Sequence, residues 1–280
     1  MIAHPFQYAA PDTLDAAFAM LAGRSDARVL GGGTVLVALM GLGDVQTSLV
    51  LDTRNLPLSG IRPRHDGLSI GAAASYNAIE GSPLVRDTAP LLAHVCRQIT
   101  GGRQITNQAT AGGAACYSNP ASDIPACIVA LNACMRLGSV AGVRAVPAAD
   151  FFTGAFKTDR RDDEMLLEIV VPASNWTRFG YIKQKHATSS WPIVTAACLA
   201  DGEGNIRVAV GGAASRPYIV EILVREGELP SDSARRIGER AREMLTEPWS
   251  DALAPAQYRQ RIVRPVVERA VRQALDGQPL

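Results

Sequence analysis

The stretch that decides the reading is QITNQATAGGAACYSNPASDIP, Gln104 to Pro125. It carries almost no large apolar side chain. Glycine, alanine, serine, threonine and asparagine fill it, with Gly112-Gly113 set among Thr110, Ser118, Asn119, Ser122 and Asp123. It therefore reads as a loop of about twenty residues inside a compact chain, a length that marks a functional loop far more often than a plain connection.

The segments on either side read as regular structure. A helix is expected from Pro83 to Ile99, stopped by Gly101-Gly102, and another over Ile124 to Ala133, followed by a strand at Cys134 to Leu137. Before them, Ile61 to Ala74 reads as a hairpin turning at Asp66-Gly67. Further back, Leu14, Ala17, Phe18 and Leu21 share one helical face, and Arg28 to Leu30 and Ser48 to Asp52 read as short strands. Met165 to Val171 is a strand ended by Pro172. Beyond it come three strand candidates, Phe179–Lys185, Ile193–Ala200 and Ile206–Gly212, and two amphipathic helices, Asp232–Leu245 and Ala256–Leu275. Strands followed by helices define an α+β unit. The expected fold class is α+β, with domains at 1–56, 57–173 and 176–280, the last built on a three-stranded antiparallel sheet with helices.

A second glycine turn lies between strand and helix, LGGGTVLVALM, Leu30 to Met40. Without a Cβ, backbone N–H groups can come close to a phosphate. The pattern G-x-G-x-x-G is missing, so this is not the usual dinucleotide fold. The hydroxyls and carboxylate of Thr110, Ser118 and Asp123 suit a ribityl or ribose chain and a pyrophosphate. Two such loops in neighbouring units favour one shared dinucleotide site over two ordinary turns.

The bulk properties narrow the field. Across 280 residues, 47% are hydrophobic and 20% charged, which supports a buried core and argues against disorder. A net charge of +1 offers no field for nucleic acid or an anionic membrane. No run of roughly 18 apolar residues exists to span a bilayer, and the N-terminus shows no secretory pattern, so a cytoplasmic protein is expected. The five cysteines include no C-x-x-C pair and the four histidines are scattered, so no metal or cluster site is expected on this chain. No acid–base pair stands out as catalytic.

At the two loops the sequence resembles the FAD-binding medium subunit of the xanthine dehydrogenase and carbon monoxide dehydrogenase family, the molybdenum hydroxylases. There the first loop reads AGGTDLL or AGGHSLL, against GGGTVLV at Gly31 to Val37. The second reads QIRNxGTIGGNxAxxSPxxDLP, against the stretch quoted at the outset. FFTGAFKTDRRDDEMLLEIVVP (Phe151 to Pro172) and QYRQRIVRPVVERAVRQAL (Gln257 to Leu275) extend the likeness over nearly the whole chain. The resemblance implies a two-lobed FAD domain, then a smaller C-terminal domain, with FAD between the lobes. Gly31, Gly32, Gly33, Thr34, Val35 and Leu36 would hold one part of the diphosphate, and Thr110, Ala111, Gly112 and Gly113 the other. Ser118 and Asp123 would meet hydroxyls, while Lys185 and Trp191 would reach back to the flavin.

Partners are implied too: a large molybdopterin-binding subunit and a small subunit with [2Fe–2S] clusters, assembled as a dimer of heterotrimers. This chain would accept electrons from the clusters and pass them to an external acceptor. Val35, Ala114 and Thr106 depart from the family pattern, each removing a possible polar contact. Two other readings stay open: a self-contained FAD-dependent oxidase, for which the chain is short, and a scaffold that has lost its flavin. Trp191 reads equally as a core side chain or as a cover over the ring.

Overall fold

The computed structural model describes residues 2–225 and 227–277. The chain begins with β1 (Gln7–Ala9), α1 (Leu14–Leu21), β2 (Arg28–Leu30), α2 (Leu36–Leu42) and β3 (Leu49–Asp52). The strands form a parallel sheet in the order β1-β3-β2. Parallel neighbours need crossovers, and α1 and α2 supply them. The Thr13 hydroxyl caps α1 by accepting the Ala16 amide, and Ala17, Phe18 and Leu21 bury its inner face.

The middle of the chain holds β4 (Ile61–Arg64), β5 (Gly67–Gly71), then α3 (Tyr76–Gly81), α4 (Pro83–Thr88), α5 (Pro90–Arg97), α6 (Gly102–Gln108), α7 (Ala111–Tyr117) and α8 (Asp123–Ala130). After them come β6 (Cys134–Ser139), β7 (Gly142–Pro147), α9 (Ala148–Phe151), the small hairpin β8 (Phe152–Gly154) and β9 (Lys157–Thr158), and β10 (Met165–Pro172). β10 is the centre of an antiparallel sheet ordered β4-β5-β10-β6-β7.

Two expectations fail here for physical reasons. The single helix over 83–99 is two, because Pro90 pushes Ala89 out of helical backbone (φ −140°, ψ 57°). The stretch Gln104 to Pro125, expected as a loop, is largely α6, α7 and the start of α8. Small residues there are not a sign of solvent: Ala111, Gly112 and Ala115 are buried where α7 lies against the chain at Ala72.

The C-terminal part comprises β11 (Arg178–Gln184), β12 (Val194–Ala200), β13 (Asn205–Gly211), β14 (Tyr218–Leu223), α10 (Pro230–Met244) and α11 (Ala256–Asp276). The sheet has four strands in sequential antiparallel order, not three. The extra strand is a half-exposed edge on which only Val220 is buried, so it has no clean alternation. Every residue of β12 is buried. Ala196, Cys198 and Ala200 pack toward the α10–α11 layer with Val263, Val267 and Val271, while Ala197 and Leu199 join the core around α8. A strand covered on both faces reads as a continuous apolar run.

Arg259, fully buried, ties this part together. Its guanidinium pairs with Asp251 at 2.5 Å and donates to the carbonyls of Ile193, Gly212 and Ala254. Gly212 sits at φ +73°, and a Cβ there would lie 2.4 Å from the Ile193 carbonyl oxygen. The clamp thereby fixes the chain just beyond Trp191-Pro192.

Burial pushes the Asp251 carboxyl up, but the Trp249 indole, the Ala254 and Leu253 amides and the Arg259 charge outweigh it and hold it below the usual range. Asp251→Asn leaves a buried cation without its counter-ion and should cost about 3–5 kcal/mol at neutral pH. A carboxyl whose pKa falls on folding stabilises above its unfolded pKa, and the contribution disappears as pH drops through the folded value. Denaturant unfolding at neutral pH and near pH ~3 should therefore show the gap between wild type and Asp251→Asn narrowing in acid; a gap independent of pH would contradict this role.

Candidate functional site

β2 ends where the Leu30 carbonyl accepts the Thr53 amide at 3.0 Å. The chain then turns through Gly33 (φ +70°) into α2. The Gly33 and Val35 carbonyls accept the Val37 and Leu39 amides. By contrast, none of the six amides from Gly31 to Leu36 has a protein acceptor among the described residues. All six residues line one cavity of about 810 Å³, in the range of roughly 300–1,000 Å³ found for small-molecule sites. Consecutive unpaired amides in a tight turn make a concavity for an anion.

The second glycine segment lines the same cavity, with the three amides after Thr110 already engaged. Ala111 donates to Ala74, Gly112 to Ala72 at 3.0 Å, and Gly113 to the Thr110 hydroxyl at 3.0 Å. Thr110, Gly112 and Gly113 line the cavity, whereas Ala111 is buried in the core. The glycines also have a different reason from the one the sequence suggests. A Cβ on Gly32 would fall 1.7 Å from the Gln108 carbonyl oxygen, and one on Gly112 would fall 2.5 Å from that of Ala72. What they admit is the chain itself, so that the two turns interlock.

Thr100, Asp123, Ser189, Trp191 and Pro192 also line this cavity. The Thr100 hydroxyl is buried and has no partner among the described residues. Trp191 is 46% exposed, which removes the core reading. The loop that carries it closes with the Ile193 amide on the Gln184 carbonyl, and the His186 ring donates to the Leu253 carbonyl. Tyr117, Phe156 and Arg160 line the wall as well, with Phe156 in left-handed backbone (φ +57°) and its ring 5.2 Å from that of Tyr117.

Besides Ala111, two more of the expected residues, Ser118 and Lys185, stand away from the cavity wall. The Ser118 hydroxyl donates to the Gly154 and Lys157 carbonyls, and the Lys185 ammonium donates to Thr188. The lysine that reaches the site is Lys183, 3.2 Å from the Asp123 carboxylate, beside a hydrogen bond from the Tyr181 hydroxyl to the same carboxylate. The signal for both was the strand alternation of β11, which puts Tyr181 and Lys183 on one face. Burial raises the Asp123 carboxyl against the pull of Lys183 and Tyr181, and lowers the Lys183 ammonium. Burial also pushes the Cys116 thiol up to about 11, so it is no ready nucleophile.

A row of free amides, a buried hydroxyl without a partner among the described residues and a half-exposed indole on one cavity suit a diphosphate ligand with a planar ring. That defines a dinucleotide-binding protein. The comparisons say which. Residues 4–174 match the family model described as FAD binding domain in molybdopterin dehydrogenase. The chain is 31% identical to the glyceraldehyde dehydrogenase medium chain of Sulfolobus acidocaldarius, over 96% of this chain and 98% of that one. It is 32% identical to the carbon monoxide dehydrogenase medium chain of Hydrogenophaga pseudoflava, over 98% of each. A solved carbon monoxide dehydrogenase from that organism, lacking the Mo-pyranopterin moiety of its molybdenum cofactor, superposes with a TM-score of 0.91 at 31% identity, over 99% of each chain. The chain belongs to the family of FAD-binding medium subunits of molybdenum hydroxylases, and it is an oxidoreductase flavoprotein subunit.

Gly32→Ala should separate the two turns and reduce FAD bound per mole of folded protein at least about tenfold, because a carbon cannot occupy the Gln108 carbonyl's place. Gly41→Ala, where nothing lies within 4 Å of the new methyl, should bind as wild type does. Equal flavin content in the two variants would show that the interlock does not form the site.

Proposed function

We propose that this chain is the electron-exit subunit of its complex. It would receive electrons from a small [2Fe–2S] subunit and pass them to an external acceptor, while a large molybdopterin-binding subunit hydroxylates the substrate. A dimer of such heterotrimers is the assembly this reading favours. The observation that carries it is the row of six free amides on the cavity wall of a chain in this family.

Bound FAD supplies the redox chemistry. The chain's residues bind and orient it. The amides of Gly31 to Leu36 would hold the diphosphate, with Thr110, Gly112 and Gly113 lining the same cavity. Asp123 would accept from a ligand hydroxyl, and the Thr100 hydroxyl would find its missing partner. Trp191 would cover one face of the ring and limit approach to it. Because the first turn offers amides and not side chains, Val35 weakens the site less than its departure from the family pattern suggests, which counts against an empty scaffold. The two relatives are named for an aldehyde and for carbon monoxide at nearly equal identity, so the substrate is a matter for the other subunits.

The test is to purify the chain alone, load it with FAD and record its spectrum, where a flavin band near about 450 nm is expected. The loaded chain should not turn over carbon monoxide, aldehydes or N-heterocycles with an artificial acceptor. Turnover would restore the self-contained oxidase. Acid precipitation should release the flavin, since no histidine lines the cavity among the described residues and burial keeps the Cys116 thiol and the Tyr117 phenol protonated.

A half-exposed side chain contributes little packing, so Trp191→Ala should cost under about 1 kcal/mol. It should nevertheless raise flavin fluorescence and speed reoxidation by dioxygen. A variant that is destabilised while its flavin behaves as before would contradict the covering role.

A further inference from the structure

The match to the FAD-binding family model ends at residue 174, yet Asp123, on the cavity wall, is held by residues beyond that point. The Tyr181 hydroxyl donates to Asp123 Oδ1, and the Lys183 ammonium donates to the same carboxylate at 3.2 and 3.4 Å. Lys183 also donates to the Gln98 carbonyl, the residue before Ile99 on the lining. Tyr181 and Asp123 are buried, and the Lys183 side chain is 6% exposed. Asp123 Oδ1 thus has two donors, while Oδ2 has only the 3.4 Å contact and keeps capacity for a ligand donor.

The strand bearing both residues is held from behind. A Cβ on Gly180 would lie 2.0 Å from the Ala270 carbonyl oxygen, so β11 lies directly on α11. The Tyr181 amide donates to Gln273 Oε1 at 2.9 Å, and Arg178 donates to the Leu275 carbonyl. Backbone and side chains of β11 therefore face opposite duties: one side registers on the closing helix, the other reaches Asp123.

We infer that Tyr181 and Lys183 are positioning residues of the flavin site, which orient the Asp123 carboxylate toward the cavity and make FAD affinity depend on the C-terminal sheet. This rests on the placement of FAD in this cavity. Without Lys183, a carboxylate shut away from water takes up a proton more readily. The groups that face Asp123 are Tyr181, Lys183 and Lys185 from β11 and the turn after it, Cys127 from α8, Cys96 from α5 and Tyr76 from α3. Lys183 is the cation in direct contact, so its loss decides the carboxyl's charge.

The experiment titrates FAD into the flavin-free full chain and follows quenching of flavin fluorescence, for wild type, Tyr181→Phe and Lys183→Met, with apo-protein melting alongside. Tyr181→Phe removes one oxygen and should weaken FAD binding about tenfold, the worth of one hydrogen bond to a charged group. Lys183→Met should weaken it more and should make the dissociation constant vary across the neutral pH range, where that of wild type stays flat. Lys183→Arg keeps the cation, should retain the flat profile, and replaces Lys183→Met if that variant does not fold. A purely structural role would lower the melting temperature and leave the dissociation constant within twofold of wild type at every pH, which would overturn the inference. Failure of the underlying placement looks different: Gly32→Ala would then bind FAD as tightly as wild type does.

Discussion

The Gln108 carbonyl occupies the space that a side chain on Gly32 would need. Main chain meets main chain there, and the contact settles much else. It brings the parallel sheet of the first unit against the helices of the second. It also sets the first turn's amides along the cavity, because the interlock approaches from the Cα side and leaves the N–H groups unpaired. The second turn is stiffened by its own bonds to Ala72, Ala74 and Thr110. The amides of Ala111, Gly112 and Gly113 are thus internally satisfied, while those of the first turn are left as donors for a ligand.

The third layer matters as much as the two turns. The C-terminal sheet is apolar on both faces because α8 covers one and the α10–α11 layer the other. Such a sheet cannot drift relative to the cleft without exposing a core. Polar side chains at its margin, Tyr181 and Lys183, inherit that fixity, and so does the loop that carries Trp191 through the Arg259 clamp at Ile193.

Much of this was legible in the sequence, and the failures have physical causes. Strands with alternating or continuous apolar character, such as Met165–Val171 and Ile193–Ala200, could be read directly. The stretch Gln104 to Pro125 could not, because small residues look alike in a solvated loop and in a helix packed at backbone distance. Only a neighbour at Ala72 distinguishes the two. Lys183 and Lys185 fall two apart on one face of the expected strand Phe179–Lys185, so the pattern could not say which one reaches Asp123, whereas β11 ends at Gln184. Trp191 was undecidable because its burial depends on what lies across from it, which is a cavity.

In the proposed mode of binding the first turn offers amides, and every residue except proline carries one. Recognition of this kind is indifferent to side-chain identity at Val35 and Leu36, and demanding only where a Cβ would collide. Such a site tolerates drift in its letters while forbidding change at Gly32. Its specificity must then come from length and curvature of the cradle, so a ligand would be sorted by the shape of its charged middle before its rings are tested at either end.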